Sequence, residues 1–131
     1  MTTMHHLRPE GSPPAAGYSH AVSASGRLIV VSGQVPVDAN GDLVGPGDPE
    51  AQVRQVFRNL VVALGAAGAT MAEVVKLGYF LTDLADLPVV RRVRDEFIDV
   101  ASPPASTLVQ VSGLVHPGYR VEIEALAALS D

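Results

Sequence analysis

Arg27-Leu28-Ile29-Val30-Val31-Ser32-Gly33-Gln34 is the stretch on which the architecture turns. Four consecutive apolar residues, most of them β-branched, favour a strand, and a strand sends alternate side chains to opposite faces. An unbroken run makes both faces apolar, which predicts a central strand buried on two sides. Working outward, Tyr18 to Val22 reads as its partner strand, joined to it through Ser23-Ala24-Ser25-Gly26. Pro36 ends regular pairing or confines it to an edge. Asp38-Ala39-Asn40-Gly41-Asp42 is a tight-turn signal, because Asn-Gly tolerates positive φ angles.

Further along, Asp48-Pro49-Glu50 predicts a helix start: an N-cap acceptor, a proline whose missing N–H is harmless there, and an acid that suits the helix dipole. The helix is expected to run to about Ala67, with Gly68 as its stop. Val53, Phe57, Leu60, Val61 and Leu64 form its inward stripe, and Gln52, Arg54, Gln55, Arg58 and Asn59 its wet face. A strand from Val74 to Thr82 follows, then a second helix opened by Asp86-Leu87-Pro88. There Val90, Val93, Phe97 and Val100 point inward, while Arg91, Arg92, Arg94, Asp95 and Glu96 lie on the other faces. Ser102-Pro103-Pro104 stops it. Two last strands, Ser106 to Val111 and Tyr119 to Ala128, flank a loop containing Gly113, His116 and Pro117-Gly118. This order gives an α+β fold with two helices on one face of a mixed sheet. One chain of this size has nothing left to cover the second apolar face of Leu28 to Val31, so assembly through the sheet is expected.

The 131 residues are enough for one domain. Residues 1–16 are expected to be an irregular N-terminal arm, His5 and His6 included, and residues 17–131 the domain. A net charge of −5 argues against nucleic acid, whose binding needs concentrated Lys and Arg. With no cysteine there is no disulfide, thiolate nucleophile or Cys-containing metal site, and a reducing cytoplasm is the expected compartment. The N-terminus carries no apolar run suited to a signal peptide or membrane span. The histidines show no metal-ligand spacing, and dinucleotide, Walker and nucleophile-elbow patterns are missing, so no metal and no cofactor is expected.

Several segments in order carry a family resemblance. They are Gly17-Tyr18-Ser19-His20-Ala21-Val22, Val31-Ser32-Gly33-Gln34-Val35-Pro36, Val74-Val75-Lys76-Leu77, Leu81-Thr82-Asp83-Leu84, Pro104-Ala105-Ser106-Thr107-Leu108-Val109-Gln110-Val111 and Val121-Glu122-Ile123-Glu124-Ala125-Leu126. Together they span about Tyr18 to Leu126. The chain resembles the RidA, or YjgF, family of reactive intermediate deaminases, whose best-known members hydrolyse enamines and imines to ketoacids and ammonia. The resemblance implies a chorismate-mutase-like fold and a homotrimer, with sheets facing inward and small-molecule ligands bound in the clefts between neighbours. It also implies an arginine after the Pro-Ala pair, where this chain has Ser106. A serine donates one neutral hydrogen bond where an arginine grips a carboxylate with two. Losing such a clamp typically costs about 2–5 kcal/mol of binding.

The same resemblance places Glu122 as the acid that holds or activates the hydrolytic water and Tyr18 as the cleft tyrosine. It sets Ser32 and Gly33 at the cleft border as donors to a carboxylate or oxyanion. Glu124, two residues beyond Glu122, shares its side of the strand. His20, where the family usually has glutamine, is an accessory proton-donor candidate. Arg91 falls where the family has a cleft-facing polar residue, and it or Arg92 is the candidate substitute for the missing cation. The expected function is hydrolysis of imine, enamine or related reactive carbonyl compounds with an altered anchor, and 2-aminoacrylate is expected to be a poor substrate. The alternative is a non-catalytic trimer that binds or scavenges a small ligand.

Overall fold

The computed structural model describes residues 4–130. Its elements are β1 (Met4–Leu7), β2 (Ala21–Ala24), β3 (Arg27–Gln34), α1 (Pro49–Ala66), β4 (Val74–Leu81), α2 (Leu87–Arg94), β5 (Ala105–Gln110) and β6 (Val121–Leu129). Four strands form a sheet in the order β3-β6-β4-β5. β6 runs antiparallel to both its neighbours, and β5 runs parallel to β4. Both helices pack on one face of this mixed sheet, giving the α+β arrangement the element order predicts.

The core lies between helices and sheet. β3 gives it Ile29 and Val31, β4 gives Leu77, Tyr79 and Leu81, β6 gives Val121, Ile123, Ala125 and Ala127, and α1 gives Val53, Val56, Phe57, Leu60 and Leu64. Asp48 caps α1 by accepting the Ala51 N–H at 3.1 Å, and Gly68, at φ 83°, turns the chain out of it. α2 begins after Asp86, whose carboxylate makes no cap bond. It is held instead by two bonds from the Arg120 guanidinium, at 2.8 and 3.0 Å, tying the start of α2 to the loop before β6.

Four expectations need correction. β3 is an edge strand, and Leu28 and Val30 remain 65% and 69% exposed. An unbroken apolar run reports two apolar faces, and it does not distinguish an edge from a centre. β2 pairs with β1 rather than with β3, so the segment expected to be irregular contains a strand from Met4 to Leu7. Gln52, assigned to the wet face, is 0% exposed: its Nε2 donates to the Gly45 and Gly118 carbonyls and its Oε1 accepts from the Arg120 N–H. Those backbone groups come from loops distant in sequence, and a buried amide with three partners replaces an apolar contact. Finally, Val61 and Val100 are exposed, the latter because α2 stops at Arg94 and the stripe loses its helical period.

Candidate functional site

A pocket of about 390 Å³ opens on the helix side of the sheet, between α2, β4, β5 and the segment before β2. Alternation along the strands decides what enters it. Ser106 and Leu108 of β5 lie beside Leu77 and Tyr79 of β4, so Ser106, Leu108 and Tyr79 all face the helices. From α2 come Leu87, Val90, Arg91 and Arg94, at the three- and four-residue spacing of one helix face, with Leu84 just upstream. Ala16 and Tyr18 close the remaining wall. Tyr18 is positioned by its neighbour Ser19, whose N–H bonds the Pro104 carbonyl at 3.1 Å and whose buried hydroxyl bonds the Pro103 carbonyl at 2.6 Å.

Two members of this pocket escaped the sequence reading. Arg94 is expected on a face other than the inward one, yet its side chain is only 13% exposed and its guanidinium lies against Gly17. The signal was present, because Arg94 is four residues beyond the inward Val90 and therefore on the same face. Tyr79 is buried, and its hydroxyl has no hydrogen-bond partner among the described residues. Burial pushes that phenol well above the ordinary tyrosine range, with the nearby Arg94 charge opposing the shift. It is therefore a neutral O–H donor rather than a base.

Glu122, Glu124 and Ser32 occupy the opposite face. In β6, Val121, Ile123 and Ala125 point into the core, which turns Glu122 and Glu124 outward as their spacing predicts. Each acid rests against a glycine. A Cβ at Gly33 would overlap Glu122 Oε2 and come within 2.8 Å of its Cδ, and one at Gly78 would come within 2.9 Å of Glu124 Cγ. Gly33 is thus needed for the close approach of Glu122. Around these acids lie Ser32 on β3, Phe80 beside Glu122, and Lys76, which donates to Thr107 at 2.9 Å, with Val109 one strand further out beside Phe80.

The structure thus joins Tyr18, Arg91 and Ser106 in one pocket and holds Ser32, Gly33, Glu122 and Glu124 together on the other side. Arg92 belongs to neither, being paired with Glu50 on the helix exterior. His20 stands edge-on to Tyr18 with ring centroids 5.5 Å apart, and its Nε2 lies 2.6 Å from the Pro13 carbonyl. It ties down the N-terminal segment. No group of three metal-ligating side chains occurs among the described residues, and none of their helices is long and apolar enough to cross a membrane.

Fold and pocket together define a class: an α+β protein with a two-helix layer, an uncovered sheet face and a small cationic pocket at the α2–β5 seam. The family model for Endoribonuclease L-PSP matches residues 10–129. The chain belongs to this family, which is also the Rid or YjgF family. It is 38% identical over 122 residues to the 3-aminoacrylate deaminase RutC of Acinetobacter baylyi, covering 92% of this chain and 94% of that protein. It is equally 38% identical to Protein DfrA of Myxococcus xanthus over 123 residues, 92% of each chain. Among solved structures, the Rid-family protein YyfB of Yersinia pestis superposes with a TM-score of 0.90 at 39% identity, covering 96% of this chain and 98% of that one.

Proposed function

We propose that the protein is a homotrimer that hydrolyses small imine- or enamine-type derivatives of carbonyl compounds in clefts between subunits. The observation that carries this reading is the division of the candidate residues between two faces of one sheet. Glu122 and the pocket of Ser106 alternate to opposite sides, so one subunit cannot bring both to one substrate. A neighbouring copy can, and the exposed Leu28, Val30, Leu126 and Val109 give the outer face apolar area to bury against it. Family membership and the likeness to a 3-aminoacrylate deaminase support the reaction class.

In this reading an enamine takes a proton from solvent at carbon and becomes the iminium ion. Glu122 accepts a proton from water as the water oxygen bonds the iminium carbon and the C=N π electrons move to nitrogen, giving a neutral carbinolamine. Protonated Glu122 returns its proton to that nitrogen, and ammonia leaves as the O–H electrons form the C=O bond and the hydroxyl proton passes to solvent. A positioned general base of this kind contributes about 10²–10⁴-fold. Tyr18 closes the pocket, Ser32 and Gly33 orient the reacting group, and Arg91 and Ser106 contact the ligand.

The test pairs light scattering with ammonia release from freshly generated 2-aminoacrylate, 3-aminoacrylate and a carboxylate-free imine. A mass near three times 13.7 kDa, with turnover of at least one substrate that falls about 10²-fold or more in Glu122→Gln, supports the reading. A monomer at all concentrations removes it. A trimer with no turnover leaves a ligand-binding module.

A further inference from the structure

The pocket contains more cationic and donor chemistry than its apolar lining requires, and it is concentrated at one end. Leu87, Val90, Arg91 and Arg94 share one face of α2, so both arginines reach the same opening. Arg94 is the more confined. Gly17, at φ 76°, presses on its guanidinium so closely that a Cβ there would lie 2.5 Å from Cζ. Asp95 Oδ1 accepts from Nε at 2.9 Å and is ion-paired with Nη2 at 2.9 Å, which fixes the fork, while Nη1 has no partner among the described residues. Beside it the buried Tyr79 hydroxyl is also without a partner. A fully shielded hydroxyl left unpaired is a standing cost that an acceptor on a ligand would remove.

We propose that Arg94, together with the Tyr79 hydroxyl, anchors the anionic end of the ligand, and that this ligand is a small monocarboxylate with an apolar body. The assignment rests on the reading above that this pocket receives the ligand. Two guanidinium charges less the Asp95 carboxylate leave one net positive charge, which matches a carboxylate better than a phosphate dianion. The apolar body lies along Leu87, Val90 and Leu108. Ser106, on the facing strand, adds one neutral hydrogen bond and leaves the space that a larger residue would fill. The charge that grips the ligand therefore comes from the helix wall, and the end that reacts is turned toward the strand.

Calorimetry on the full chain with isovalerate, and with isovaleramide as its uncharged isostere, tests this. Wild type is expected to prefer the carboxylate by about tenfold or more, as a charge-assisted bond requires. Arg94→Gln should abolish that preference, and Arg91→Gln, at an exposed site, should reduce it by only about threefold. Tyr79→Phe should weaken isovalerate by about three- to tenfold while Tm stays level or rises, since the orphaned hydroxyl is gone. Should Arg94→Gln not fold, unaltered isovalerate affinity in Tyr79→Phe overturns the proposal. So does a wild type without preference, a folded Arg94→Gln that keeps it, or its complete loss in Arg91→Gln. Imine turnover by a wild type that shows no preference overturns the anchor and leaves the hydrolase reading intact. Preference lost in Arg94→Gln, with no turnover of any imine, supports the anchor and removes the hydrolase reading.

Discussion

The two faces of the sheet are built from the same strands and have opposite character. The inner face is closed by helices, fully packed around Ile123 and Leu77, and cationic where it opens at Arg91 and Arg94. The outer face has no layer over it, carries Glu122 and Glu124, and exposes Leu28 and Val30 at its edge. Strand alternation produces this contrast one residue at a time: Ile123 is a core residue, and the two glutamates flanking it are not. Acid lies on one side and guanidinium on the other, and the two cannot meet within one chain.

Adjacent β6 positions give the sharpest test of that contrast. Ile123→Ala removes a fully buried side chain and is expected to cost about 2–5 kcal/mol in chemical denaturation. Glu122→Gln, one residue away, should stay within about 0.5 kcal/mol of wild type. Similar losses at both positions would mean that the outer face is packed after all. Val30→Asp puts a charge at the edge of the exposed apolar strip, and the mass of the proposed trimer should fall to that of a monomer with the helical circular dichroism retained. A mass that stays near three chains would place the proposed interface elsewhere.

Gly33→Ala probes how closely β3 and Glu122 approach. The added methyl must displace the Glu122 carboxylate, so turnover should drop about tenfold with a stability loss near 1 kcal/mol. Unchanged turnover would detach Glu122 from the chemistry. The smallest effect is expected at Arg92→Ala, outside both faces. Arg92's hydrogen bond, and then its charge, hold the Glu50 carboxyl below its ordinary value of 4.5. The pair's stabilisation is therefore complete above that value and lost as pH falls through the lowered one. At neutral pH the variant should show a Tm difference at the edge of detection, vanishing in acid, and unchanged isovalerate binding.

Much of this was legible along the chain. The Asp48-Pro49-Glu50 start, the stop at Gly68, the inward positions Val53, Phe57, Leu60 and Leu64 of α1 and the alternation of Glu122 and Glu124 with core residues all follow from local chemistry: a cap bond, a missing Cβ, a period of 3.6 and a period of 2. Those rules involve residues a few positions apart, and a sequence displays them directly. Tertiary structure alone decided what depends on partners far along the chain. The edge position of β3 was set by which strand β6 pairs with, and the burial of Gln52 by carbonyls at Gly45 and Gly118. Arg94 joined the pocket because Gly17 and Tyr79, one before β2 and one in β4, fold against it. Periodicity tells which face a side chain leaves from, and only packing tells what that face meets.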